Sequence, residues 1–299
     1  MPSKKDIKTR IRAVQNTQKV TKSMKLISII KLKQVQNAIN SARAYNDQLS
    51  NLIQKTLPNI DFISLDKSEL PVLARPNAAK NSVCLIVISS DRGLCGPYNS
   101  QLFKFLHAKV EAYKAEGKTV SLILFGIKAI SYAQKHLKNC EIIKKYGQLP
   151  VFIPTEIISE VTQTLEEQFL ESSFSSVELI YSHFISMIKS NPSLIKLAPF
   201  TSGAESNHQE LKQKEEILFE PGSLEVLKYL IPLYLKNQLN QALLSGRASE
   251  LSNRVNAMSA ATDNAKSLIN QLTLTYNKAR QASITQEISE IVAGAESVK

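Results

Sequence analysis

The sequence predicts an α/β protein in which the two ends of the chain form a long antiparallel two-helix coiled coil around an inserted α/β domain. Three observations predict it. From Leu244 a seam steps 4, 3, 4, 3 through Ala248, Leu251, Val255, Met258, Thr262, Ala265, Ile269, Leu272, Tyr276, Ala279 and Ser283, the spacing of a coiled-coil strand. Residues 3–57 form a 55-residue run with neither proline nor glycine, closed by Pro2 and Pro58. Between these helices the apolar period changes to short continuous runs, which mark strands buried on both faces. At ~1.5 Å per residue the first helix reaches roughly 80 Å, far longer than a globular domain of this size needs, so a rod with a body attached is expected.

The division expected along the chain is an N-terminal coiled-coil helix over 1–58, a linker over 59–80, an α/β domain over 81–202, a connecting segment over 203–226 and a C-terminal coiled-coil helix over 227–299. The first helix is less regular than the last. Ile7, Ile11 and Val14 start a stripe, Val20, Met24 and Ile27 continue it on a displaced phase, and Leu32, Val35, Ile39 and Ala42 return to the first phase. Around Met24 to Leu32, the apolar residues Leu26, Ile27, Ile29 and Ile30 spread over most of the circumference, leaving a second surface for another subunit or for the body of the same chain. Pro71 and Pro76 punctuate the linker. In the body, strands are expected over 83–88, 119–125 and 177–184, with helices over 98–114, 127–137 and 156–170; strand, helix, strand implies a parallel crossover. Gly203, Pro221 and Gly222 mark the return to the rod.

Charge is distributed unevenly. Of 37 Lys+Arg and 26 Asp+Glu in 299 residues, residues 1–60 hold 12 against 2, residues 61–226 hold 17 against 19, and residues 227–299 hold 8 against 5. The excess therefore sits on the first helix, which calls for an acidic partner: nucleic acid, an anionic membrane, or acidic loops of another protein. Cys84, Cys95 and Cys140 show no CxxC or Cys/His spacing, so neither a disulfide framework nor a zinc site is expected, and a reducing compartment is the simpler reading. No stretch approaches the ~20 apolar residues of a membrane span, and the start lacks the apolar core of a secretory signal. Asp6 and the uninterrupted helix argue against a transit peptide.

The Rossmann-like alternation of strands and helices places the loop Ser89-Ser90-Asp91-Arg92-Gly93-Leu94-Cys95-Gly96-Pro97 after the first strand, where a phosphate can be cradled. Its glycine spacing is not GxGxxG and Pro97 removes an early helical donor, so Gly93 and Gly96 are assigned to a tight turn. Gly117-Lys118-Thr119 lacks the leading glycine of a P-loop, since position 112 is Ala112. His107, His136, His183 and His208 have no partners at ligand or triad spacing, and Cys95 is read as a small buried thiol. No catalytic residue, cofactor or metal is expected.

Near the end, the seam changes phase: Ser283 is its last position, and Ile284, Ile288, Ile291 and Ala295 form the next row. One residue turns a helix by ~100°, so above Ser283 the helix faces something other than its mate. Arg280, Gln281, Thr285 and Glu287 supply donors and acceptors at the changeover.

Three segments carry a family resemblance. Residues 11–25, Ile11-Arg12-Ala13-Val14-Gln15-Asn16-Thr17-Gln18-Lys19-Val20-Thr21-Lys22-Ser23-Met24-Lys25, the Ser90-Asp91-Arg92-Gly93-Leu94-Cys95-Gly96 loop with Tyr98-Asn99, and the end of the chain, Arg254 to Met258, Ala261 to Asn264 and Tyr276 to Glu290, resemble the signatures of the gamma subunit of the F-type ATP synthase. That resemblance implies a rotor without bond chemistry of its own. It implies paired terminal helices inside a ring of three alpha and three beta subunits, a body against the epsilon subunit and the c-subunit ring, and proton or sodium flow coupled to ATP synthesis on the beta subunits. By position it implies that Arg254, Arg280, Gln281, Thr285 and Glu287 belong to the beta-contacting set, that Met24 and Lys25 lie on the shaft facing the beta lever loops, and that Glu220 makes the lower contact with the c ring or epsilon. Pro97 stands where relatives commonly carry glycine, and Ile217 where they often carry tyrosine. The redox-regulatory cysteine insertion of chloroplast relatives is absent, which points to a bacterial or mitochondrial version; with no clear presequence, a peripheral place on the cytoplasmic face of a bacterial inner membrane is expected rather than the mitochondrial inner membrane.

Two rival classes are weighed beside it. A basic coiled-coil nucleic-acid-binding protein accounts for the first helix, but the first 44 residues contain no aromatic side chain to interleave with bases. A dinucleotide enzyme accounts for the body, but the phosphate fingerprint and an acid/base set are missing.

Overall fold

A computed structural model describes residues 4–56, 71, 73, 81–171, 174–199, 219–220 and 222–296. Its elements run α1 (Lys4–Thr56), β1 (Ser82–Ile88), α2 (Tyr98–Ala115), β2 (Thr119–Phe125), α3 (Ile127–His136), β3 (Glu141–Tyr146), α4 (Thr155–Leu170), β4 (Ser176–Phe184), β5 (Ser190–Ala198) and α5 (Ser223–Glu296). The chain forms two compact units, one from Met1–Ile30 with Arg254–Lys299 and one from Lys31–Asn253, and each is described by itself.

In the Lys31–Asn253 unit, the sheet has the order β3-β2-β1-β4-β5. The pairs β1·β2, β1·β4 and β2·β3 are parallel, as a strand-helix-strand alternation dictates, while β5 returns antiparallel to β4 as a hairpin. The central strand β1 is buried along its whole length because both faces are covered. Cys84, Ile86 and Ile88 face α4 and the first part of α5, packing with Val161, Leu165, Leu235 and Leu239; Leu85 and Val87 face α2 and α3, packing with Leu102, Leu106, Ala129 and Ala133.

Two strands escaped the pattern reading. β3 is an edge strand reading Glu-Ile-Ile-Lys-Lys-Tyr, so only a short apolar run survives between its charges, and its register with β2 shifts between Leu122 and Ile123. β5 is the opposite edge and contains Pro192, which an edge strand tolerates because its N–H side needs no partner. The linker expected over 59–80 lies outside the described residues except Pro71 and Leu73, the latter buried in the sheet core. Ile217 and His208 also lie outside them.

Within this unit α5 is more than a coiled-coil strand. Leu227, Ile231, Leu235, Leu239, Ala242 and Leu243 belong to the sheet core, while Leu230, Leu244, Ala248 and Leu251 meet Leu49, Ile53, Leu32 and Val35 of α1. The helix thus presents two apolar stripes, and it accommodates Pro232 at the loss of one intrahelical hydrogen bond. Leu239, fully buried at the junction with the sheet, sets a test. Leu239→Ala lowers the unfolding free energy in denaturant by about 2–5 kcal/mol, and Leu274→Ala, on the exposed part of the same helix, by less than ~0.5 kcal/mol; equal losses at the two positions contradict the two-stripe assignment.

Candidate functional site

In the other unit, the least exposed positions of α1 step 4, 3, 4, 3 from Ile7 through Ile11, Val14, Gln18, Thr21, Lys25 and Ser28. This corrects the displaced stripe expected at Val20 and Ile27. Those two side chains are 57% and 55% exposed, and the seam holds its phase through polar residues instead. α5 answers with Val255, Met258, Thr262 and Ala265, all lying on the predicted seam. Thr21 and Thr262 meet hydroxyl to hydroxyl at 2.8 Å. Each hydroxyl also lies within reach of a carbonyl of its own helix, Gln18 O at 3.0 Å and Met258 O at 2.7 Å. With one proton apiece, one hydroxyl donates across the seam and the other donates back to its own helix. Lys25 Nζ donates to Ser259 Oγ at 2.9 Å, and Ser28 Oγ to Met24 O at 2.7 Å.

These pairs set the register. Thr21 opposite Thr262 and Lys25 opposite Ser259 make the residue numbers of facing partners total 283 or 284, which puts Lys4 opposite Ala279. From Arg280 onward no described residue of α1 lies opposite α5; the link across is an exposed Lys4–Glu287 ion pair at 3.8 Å. Beyond that point Ile284, Ile288, Ile291 and Val292 are exposed, as are Leu26, Ile27, Ile29 and Ile30 on the outer side of α1.

The expected site residues fall into three groups. Arg280, Gln281, Thr285 and Glu287 stand together on the unaccompanied end of α5, all exposed, with Ser283 Oγ donating to Glu287 Oε1 at 2.9 Å. Met24 lies half-buried beside the seam of α1, Lys25 half-buried on the seam itself, and Arg254 is buried, 8% exposed. Glu220 is exposed and belongs to the Lys31–Asn253 unit.

The other place where chemistry is possible is the carboxyl end of the parallel strands, between β1 and β4, where the strand order reverses and α/β sheets bind ligands. Here the loop after β1 turns its polar groups inward. Asp91 accepts from the backbone N–H groups of Ile127 (3.1 Å), Gln148 (3.0 Å) and Leu149 (3.1 Å), and Asn99 Nδ2 donates to Ser90 Oγ (2.7 Å) and Cys95 Sγ (3.2 Å). Gly96 takes a left-handed φ of 58°, so the turn demands that glycine; Gly93 does not. Burial pushes the Cys84 thiol up to about 12, leaving it protonated and unreactive. His107, His136 and His183 lie exposed on three different elements.

The crevice itself is occupied by α5. Arg247 donates to the carbonyls of Leu149 and Pro150, both at 3.0 Å, and to Glu250 Oε2 at 2.7 Å, with Asp91 Oδ2 3.9 Å away. Ser245 Oγ accepts from Phe184 N–H at 2.9 Å, Ser249 Oγ donates to Ser182 O at 2.8 Å, Ser252 Oγ to Met187 O at 2.5 Å, and Asn253 Nδ2 to Ser190 Oγ at 3.0 Å. A Cβ on Gly246 would come within 3.0 Å of Ile88 Cγ2, so the helix rides directly on the end of β1. The sequence reading missed this belt. Its signal was the cluster of serines inside a helix, where serine is unfavourable unless its hydroxyl is engaged.

A family model described as ATP synthase matches residues 3–298. The ATP synthase gamma chain of Cyanothece sp. is 37% identical and that of Acaryochloris marina 36% identical, each aligned over 100% of both chains. The chain belongs to the ATP synthase gamma family. As a gamma-family chain it is a central-stalk, non-catalytic subunit, and the nucleic-acid reading loses its support. The fold agrees: the chain resembles one in the Euglena gracilis mitochondrial ATP synthase, OSCP/F1/c-ring, with a TM-score of 0.68 at 14% identity over 99% of this chain and 94% of that one. A Tetrahymena thermophila mitochondrial ATP synthase central stalk/c-ring chain gives 0.55 at 20% identity over 81% and 99%.

The gamma-family seam carries a test at its hydroxyl pair. A double-mutant cycle on Thr21→Val and Thr262→Val gives a coupling of about 0.5–1.5 kcal/mol in unfolding free energy, with the double variant near wild type because both hydroxyls leave together. Additive single effects would show that the two threonines do not meet.

Proposed function

We propose that this chain is the turning axle of an F-type ATP synthase. Its terminal helices stand within a ring of three alpha and three beta subunits, its body rests against epsilon and the c-subunit ring, and the complex lies on the cytoplasmic face of a bacterial inner membrane, to which this chain is peripheral. The observation that carries the proposal is the end of α5, which runs on past Ala279 without a mate among the described residues of α1 while exposing Ile284, Ile288 and Ile291. A helix left in water with an apolar row requires a cover, and a sleeve of surrounding subunits supplies one. No helix among the described residues is long and apolar enough to cross a membrane, in keeping with a peripheral role.

The proposed mechanism follows from asymmetry. A ring of three identical beta subunits meets a different surface at each position: at the level of residues 24–30 the apolar band of α1 at Leu26, Ile27 and Ile30 on one side and the seam edge beside Met24 on another, and, more than 20 residues further along the shaft, the one side of α5 that carries Arg280, Gln281, Thr285 and Glu287. Turning the axle exchanges these surfaces, so each beta subunit passes through three states while proton or sodium flow is coupled to ATP synthesis. The basic α1 suits acidic lever loops, since exposed ion pairs worth ~0–1 kcal/mol each guide without locking. Lys25, bonded to Ser259 across the seam, and Arg254, buried on α5, are turned toward the shaft's own interior, Met24 lies beside the seam, and Glu220 serves the lower contact.

Reconstitution tests this. With alpha and beta subunits the chain forms a complex that hydrolyses ATP, and alone it shows no turnover. Deleting Ser283 rotates the row above it by ~100° and leaves the seam below intact, so coupled ATP synthesis in membranes falls several-fold while the melting temperature moves by no more than about 4 °C. Unchanged synthesis from the deletion variant counts against the proposal.

A further inference from the structure

The belt between α5 and the carboxyl ends of the strands has a mechanical consequence, and it rests on the axle reading above. An α/β sheet of this topology leaves a crevice at the reversal of strand order, beside β1 and β4, where other proteins hold a ligand. In this chain the occupant is covalently part of the protein. Arg247 fills the place of the ligand's charge: its guanidinium meets two carbonyls of the segment after β3, the Glu250 carboxylate one turn away, and Asp91.

Asp91 in turn holds the N-terminus of α3 through Ile127 N–H and the segment after β3 through Gln148 and Leu149 N–H. Four successive connections of the sheet are therefore tied to residues 245–250 of α5: the loop after β1 and, through Asp91, the start of α3 after β2, the segment after β3, and, through Ser245 and Ser249, the end of β4. The groups are mostly buried; Arg247 and Asp91 side chains are 17% and 14% exposed and Glu250 5%. Bonds of this kind are directional and resist shear, whereas apolar packing lets surfaces slide.

We infer that Arg247 is the positioning residue of a torque joint, through which twist applied to the α/β body enters helix α5. Arg247 touches no nucleotide; it fixes the angle of α5 relative to the sheet, so that the helix cannot turn about its own axis when the body is driven. A planar guanidinium is required, because its fork reaches carbonyl and carboxylate acceptors together, which an ammonium does not.

The experiment uses the assembled complex with the ring immobilised and a bead on the α/β body, reading the angular variance of the bead in a fixed catalytic dwell. Arg247→Met raises that variance at least about twofold over wild type, and Arg247→Lys does not restore it. Val110→Ala, a core cavity in α2 away from the belt, lowers the melting temperature by a comparable amount and leaves the variance unchanged. Ser249→Ala, which removes one hydroxyl bond, gives a smaller rise and serves where Arg247→Met fails to assemble. Wild-type variance in both belt variants, or an equal rise in Val110→Ala, overturns the joint. A wild-type complex that neither turns nor hydrolyses ATP would instead refute the axle reading.

Discussion

The rest of the molecule depends on the phase of one seam. On α1 the covered positions run from Ile7 to Thr56 at 4, 3, 4, 3 spacing, and on α5 the matching positions run to Ala279. A 3.5-residue repeat is what two supercoiling helices require, and keeping it fixes everything that does not lie on it. Val20, Leu26, Ile27 and Ile30 are turned outward because Thr21, Lys25 and Ser28 hold the inner positions. Apolar residues at those three positions would strengthen the pair. Polar ones specify register at some cost in stability, and they free the apolar side chains for surfaces that the chain alone does not cover.

The second dependence is on α5 serving two cores. Its early turns are part of the sheet's own hydrophobic layer, and its next turns cross the strand ends through Arg247 and the serines. The absence of a phosphate fingerprint in the loop after β1 then has a physical reason: Ser90, Asp91 and Asn99 spend their hydrogen-bonding capacity on the body itself. A fold that elsewhere serves chemistry is here closed by its own helix.

Legibility in the sequence followed polarity. The α5 seam was readable residue by residue because most of its members are apolar or small, and β1, β2 and β4 were readable because they are buried runs. The middle of the α1 seam is not legible from apolarity, because there the interior is Thr21 and Lys25. β3 and β5 were missed because edge strands alternate with charge or carry proline. The serines around Arg247 mark α5 as engaged with something, but their partners are not legible, since nothing in a helical sequence says which polar residue meets a backbone carbonyl a hundred residues away. The change of phase at Ser283 marks the cluster at Arg280, Gln281, Thr285 and Glu287, which is exposed where no described residue of α1 lies opposite α5.

Stiffness and grip are thereby assigned to different chemistry. Where the strand ends meet α5, the bonds are buried and partly charged, worth roughly 1.5–3 kcal/mol each when an ionised group takes part. At the far end of α5, the Lys4–Glu287 pair is exposed and 3.8 Å long, in the class that contributes ~0–1 kcal/mol. An axle has to be rigid where it is driven and slippery where it presses on its neighbours, because a tight bond to any one of them would have to be broken on every turn. The distribution of burial along α5 meets both demands with a single helix, by changing what each of its faces is asked to touch.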